Sequence, residues 1–283
     1  MTKVPSLTSP RARVSSIVLY TVSVACGIIV GGVQANAQPI ENDSGGRMGV
    51  MRTAMERMHA TSNQAGKVSE VEFNTQPILR FGDATRQTVD GTVWSLGKGR
   101  PQAIVAMELT TNAQGEVKLH YEFLCLTDQK LRVQAGPGWI WTPRQSEMQI
   151  QDLVVETPVH RSAILRRRQM KQLASRFSAS EFMEGEDYVL RMLPNPVVSY
   201  KIEDKPDSEG AVFAFSNGTN PEVLLFIESY EGRWRFGLAR LCGASPTARM
   251  DGKVVWTKPS MHEVTKEWSL PYTGDIQDID SLK

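Results

Sequence analysis

The chain is poor in the residues that advertise chemistry. It has 3 cysteines and 4 histidines in 283 residues. No C-x-x-C pair occurs, and His262-Glu263 lacks the second histidine of a helical zinc-hydrolase motif, so spacing alone offers no metal site. There is no G-x-S-x-G elbow and no phosphate-cradling glycine loop. The formal charge is only +1, without the basic excess a duplex-binding protein needs to neutralise phosphates, and nucleic acid is excluded as a first expectation. These absences leave no catalytic and no cofactor-binding residues to name.

What is present begins at the N-terminus. Residues 1–15 carry Lys3, Arg11 and Arg13 and no acid, Ser16 to Val33 are apolar or small, and Ala35-Asn36-Ala37 supplies an A-x-A cleavage pattern. Residues 1–37 therefore read as a signal peptide, with a membrane anchor as the alternative, and export to the periplasm or outside the cell is expected. Cleavage would remove Cys26 and leave Cys125 and Cys242, an even pair in an oxidising compartment; a disulfide between them and two separately buried thiols are both open.

The rest of the sequence repeats itself. At a shift of 119, Gln76-Pro77-Ile78-Leu79-Arg80-Phe81 falls on Asn195-Pro196-Val197-Val198-Ser199-Tyr200, and Asp90-Gly91-Thr92-Val93-Trp94 on Glu209-Gly210-Ala211-Val212-Phe213. One inserted residue then brings Pro101 onto Pro221 and Glu108 onto Glu228; further on, Cys125 matches Cys242 and Trp141 matches Trp256. Runs such as Ala103–Leu109 and Val223–Ser229, separated by Gly, Asn and Pro, read as antiparallel strands. A helical stretch precedes each set: Met48, Met51, Met55 and Met58 recur at helical spacing, and Val159 to about Ser178 carries an apolar face through Met170, Leu173, Ala174 and Phe177.

The expected class is α+β, an internal duplication of one helix followed by a roughly five-stranded antiparallel meander. The expected division is a linker at 38–46, a first repeat at 47–151, a second at 157–268 and a tail at 269–283, loosely ordered or packed late against the second sheet, with linker and tail carrying no chemistry.

The segments "RRRQMKQLASRFSA", "LRMLPNPVVSY", "EGAVFAFSNGTNPEVLLFIES" and "GRWRFGLARL" resemble a family of exported proteins of planctomycete bacteria. The resemblance spans roughly the last 125 residues, reaches the first half only through the repeat, and implies export without bringing an activity with it.

Among candidate residues, the methionine stripe reads as core rather than as a copper site. Arg161, Arg166, Arg167, Arg168 and Lys171 form a basic run, a solvated helix face or a patch for an anionic surface, polysaccharide or protein partner. Glu108 and Glu228 read as structural carboxylates. His120 and Cys125, five apart on one strand, point to opposite faces and form no nucleophile–base pair. The sequence thus leads to a non-enzymatic exported binding protein for a protein partner or extracellular ligand in a cleft between its halves, meeting a membrane only if its N-terminus is uncleaved. A hydrolase of envelope or extracellular material and a structural component of an envelope assembly are the alternatives.

Overall fold

Each half begins with a short helix and continues as strands. A computed structural model describes residues 44–83, 88–112, 114–136, 138–203, 205, 207–261 and 267–282. The signal-peptide or anchor expectation for residues 1–37 lies outside the described residues; among those described, no helix is long and apolar enough to cross a membrane. Helix α1 (Ser44–Glu56) precedes β1 (His59–Gln64), β2 (Lys67–Glu70), β3 (Leu79–Asp83), β4 (Thr88–Leu96), β5 (Ala103–Thr111), β6 (Val117–Cys125), β7 (Lys130–Gly136) and β8 (Trp139–Trp141). After β9 (Ile150–Asp152) comes α2 (Ala163–Ala174), then β10 (Phe177–Met183), β11 (Glu186–Met192), β12 (Val198–Lys201), β13 (Glu209–Asn217) and β14 (Asn220–Tyr230). Strands β15 (Arg233–Arg240), β16 (Ser245–Met250), β17 (Lys253–Thr257) and β18 (Tyr272–Asp278) follow, and a single 3-10 turn, Ile279–Leu282, closes the described chain.

The expected α+β class is overturned. Two α-helices stand against eighteen strands among the described residues, and the strands curl into three antiparallel sheets rather than two five-stranded meanders. One sheet runs β2-β1-β7-β8, a second β18-β6-β5-β4-β3, and the third β17-β16-β10-β11-β13-β14-β15-β9, with β12 also pairing β13. The cause of the misreading is local. Past Ala174 the helical period gives way to a two-residue period, with Phe177, Ala179 and Glu181 buried and Ser178 and Phe182 exposed. Ala65-Gly66 and Glu184-Gly185, all at positive φ, then turn β1 into β2 and β10 into β11 as tight hairpins. The helix read as running to Ser178 is therefore a twelve-residue helix and the start of a strand.

The linker and the tail are corrected too. Helix α1 begins at Ser44, inside the span read as linker. The tail is not loose: β18 pairs with β6 along Tyr272–Asp278, while β9, which follows the first half, pairs with β15 of the second. Each half thus receives an edge strand from chain that follows the other half.

Three apolar clusters explain why the central strands read as unbroken hydrophobic runs. Alternate residues of β5 (Ala103, Val105, Met107) pack beneath α1 with Met51, Met55 and Met58, so the methionine stripe is core. On β14, Val223, Leu225 and Ile227 pack with Met170 and Leu173 of α2. The residues between, Ile104 and Ala106 on β5 and Leu224 and Phe226 on β14, meet in a third cluster where the two meanders lie face to face. A strand covered on both faces has no polar alternation to display.

Candidate functional site

The layer between the meanders ends in carboxylates on both sides, and the two ends differ. Glu228 continues the inward-facing series Leu224 and Phe226 of β14, and is fully buried. Arg100, in the turn before β5, donates from Nε to Glu228 Oε1 at 2.6 Å and from Nη2 to Oε2 at 2.7 Å. Arg235 donates to Oε2 at 3.0 Å and Tyr200 to Oε1 at 2.7 Å. Burial, followed by the charge and hydrogen bond of Glu228, holds the Tyr200 phenol well above its usual pKa. A buried carboxylate persists where such donors surround it.

Glu108 stands in the corresponding register. It pairs with Gly91 on β4 as Glu228 pairs with Gly210 on β13. At the place in the preceding turn where Arg100 stands before Pro101, the second half has Asn220 before Pro221. Around Glu108 and Asn220 the layer opens into a cavity of about 1080 Å³. Among the described residues that line it are the acids Glu108, Glu122, Glu184, Glu222 and Asp275 and one histidine, His120. The apolar wall comes from Phe182, Met261 and Ile276.

The fold fixes these groups by strand alternation. His120 and Glu122 face away from the α1 core, to which Leu119, Tyr121 and Phe123 belong. Glu108 and His120 are direct cross-strand partners. On β18 Asp275 pairs with Tyr121 and so shares the α1-core face, whereas Tyr272, on the His120 and Glu122 face, donates its hydroxyl to Glu122 at 2.8 Å. Arg240, buried, donates to the carbonyls of Cys242 at 3.0 Å and Pro259 at 2.9 Å, pinning the Cys242–Ala244 turn at the cavity wall. Burial lowers the His120 pKa, so the imidazole is neutral at pH 7.

Three buried groups converge at the wall of this cavity. Ligand atoms of Glu181, Glu222 and Cys242 all lie within 4.8 Å of one another, and Asn217 Nδ2 fixes Glu181 through a 3.1 Å bond to Oε1. Two carboxylates and a thiolate suit a divalent ion such as zinc. Burial first, then the negative charges of Glu222 and Glu181, raise the Cys242 thiol well above its usual pKa. No spacing motif announces this set, because it is drawn from β10, β14 and the turn after β15.

Of the candidates read from sequence, Arg161, Arg167, Arg168 and Lys171 are exposed on or beside α2, but Arg166 is not. Its side chain is buried and donates to Glu209 Oε1 at 3.0 Å, which removes it from any surface patch. Cys125 and Cys242 are free and buried apart in their surroundings: Cys125 lies in the α1 core and donates to the Thr127 carbonyl at 3.3 Å, whereas Cys242 faces carboxylates. Glu108 and Glu228 occupy opposite ends of the layer instead of forming a pair. His120 does lie on the face opposite Cys125, and the fold carries it to the cavity that Cys242 lines. Sequence reading missed Glu122, Glu181, Glu222 and Asp275, the last because its segment carried no strand signal. Comparison with protein-family models, with curated proteins and with solved structures finds no match.

Proposed function

We propose that this is a non-enzymatic, exported binding protein that takes a cationic ligand, an ammonium or guanidinium group of a small molecule or peptide, in the acidic cavity between its meanders. The observation that carries this reading is the contrast between the two ends of one layer. At Glu228 the protein supplies two guanidinium groups of its own in a bidentate clasp, whereas Glu108 accepts from the Thr88 hydroxyl at 2.6 Å and borders a cavity whose described lining is rich in acids, Glu122, Glu184 and Glu222 among them. An acidic pocket favours a cationic ligand, and the apolar wall suits the carbon skeleton of an amine. Export rests on the N-terminal pattern and on the planctomycete resemblance.

An internal repeat is part of the proposal in altered form. Its support is the shared pairing order: β2-β1-β7-β8 and β3-β4-β5-β6 in the first half, β11-β10-β16-β17 and β12-β13-β14-β15 in the second. On this reading the cavity is the counterpart of the Arg100–Glu228 clasp, altered by Asn220. The hydrolase alternative is weaker because the carboxylates that raise the Cys242 pKa work against a thiolate nucleophile.

Titration calorimetry with arginine and spermidine, against neutral citrulline, tests the reading. Binding of the cations alone, weakened at least about tenfold by Glu108→Gln with Glu222→Gln, is expected from the loss of two charge-assisted contacts. Equal binding of citrulline, or cation binding unchanged in the double variant, would sink it. Tight zinc binding abolished by Cys242→Ser, with no amine binding, would replace it with a metal site.

A further inference from the structure

We propose that the outer face of α2 docks this protein onto an anionic lipid surface, a property separate from the cavity. Ile164, Leu165, Arg168 and Lys171 recur at the three- and four-residue spacing that places side chains on one helical face, and Arg161 lies just ahead of the helix, before its Ser162 N-cap. All five are exposed, Ile164 to 77% and Leu165 to 38%. No carboxylate among the described residues pairs with Arg161, Arg168 or Lys171.

Helix α1 shows that the fold does not require this face. At a shift of 119 the inward positions agree: Met51 with Met170, both fully buried, and Arg47 with Arg166, both in ion pairs to β4 or β13. The outward positions do not. Where α2 has Ile164, Leu165 and Arg168, α1 has Gly45, Gly46 and Gly49. Two β-protein halves with like helix seats are therefore satisfied by glycine on one outer face, while the other bears two large aliphatic groups set among cations. Exposed aliphatic side chains disfavour water, and their company of unpaired positive charge fits a surface of phosphate headgroups over an apolar interior. A soluble polyanion would use the arginines and leave Ile164 and Leu165 without a role.

The test is co-sedimentation of the full chain with vesicles of phosphatidylcholine alone or with about one third phosphatidylglycerol. Expected is at least about tenfold tighter binding to the anionic vesicles, weakening with salt. That preference should vanish in Arg161→Gln/Arg168→Gln/Lys171→Gln, and Ile164→Ser/Leu165→Ser should weaken anionic-vesicle binding at least about fivefold. Because the substituted groups are exposed, the thermal transition of each variant should match the parent and rule out misfolding. Every variant keeps residues 1–37, so binding through that segment is common to all. Equal binding to both vesicles, no binding, or a preference that survives the charge variant overturns the proposal; binding to heparin without vesicle binding assigns the face to a polysaccharide.

Discussion

Arg166 meets Glu209 at 3.0 Å where both side chains are almost wholly withdrawn from water, tying α2 to the first residue of β13. Arg47 meets Asp90 on β4 at 3.2 Å, each residue 119 positions earlier, but Arg47 is more exposed and Asp90 is also bound by Arg80 Nε at 2.8 Å. Removing one partner of a sole buried pair strands the other. Arg166→Met should therefore cost about 3–5 kcal/mol in urea unfolding, and Arg47→Met only about 1–2 kcal/mol, since Asp90 keeps Arg80. Equal losses would show that burial does not set the difference.

Gly210 pairs directly with Tyr200, whose ring lies over it, and Gly91 pairs in the same way with Phe81. A methyl group at either glycine would overlap the ring. Gly91→Ala should destabilise by about 1–3 kcal/mol. Gly210→Ala should cost more, because displacing Tyr200 also breaks its bond to Glu228. Thermal melts of the two variants give the order, and Phe81→Leu should relieve Gly91→Ala in part.

Burial pushes the Cys125 thiol up to about 11 from an ordinary 9.0, against the opposing Thr127 bond. A raised pKa in the folded state means that its contribution is complete below pH 9 and is lost as pH climbs to 11. The loss should be about 2–3 kcal/mol. Unfolding free energies at pH 8 and pH 11, compared with Cys125→Ala, isolate it from the buried tyrosines, which also favour the neutral form. An identical pH dependence in the variant would contradict this.

Ending the chain at Leu270 removes β18 and leaves β6 an open edge. Tyr272 is buried, and its loss alone should cost about 3–5 kcal/mol. The truncated protein should expose strand β6 and associate, seen as oligomers by light scattering. A stable monomer would mean that β18 is dispensable.

The strands were legible because β-branched and aromatic runs between Gly-rich turns survive without tertiary information. The class was not, because β2 and β11 turn most of their residues to solvent: Lys67–Glu70 is wholly exposed, as are Glu186, Asp187, Tyr188 and Val189, so neither shows a buried-face alternation. The methionine stripe was legible as core, since Met51, Met55 and Met58 keep helical spacing onto a single face. The cavity was not. Glu108, Glu122 and Glu222 look like ordinary strand acids until β5, β6 and β14 are stacked, and their sharing of one pocket depends on contacts across much of the chain. Arg166 was misplaced for the reverse reason: within "RRRQMK" nothing distinguishes it from its neighbours until Glu209 is opposite.

The closing of β6 by β18 also sets a clock on synthesis. Tyr272 and Glu122 are 150 residues apart in sequence, so the first sheet waits for all of the second half before its last strand arrives. Until then a nascent chain presents an unfinished β edge, and late long-range pairing of this kind is slow. Maturation of the first half is therefore gated by completion of the second, and a ribosome stalled anywhere before Tyr272 leaves Glu122 without its tyrosine donor and the molecule without its final seam.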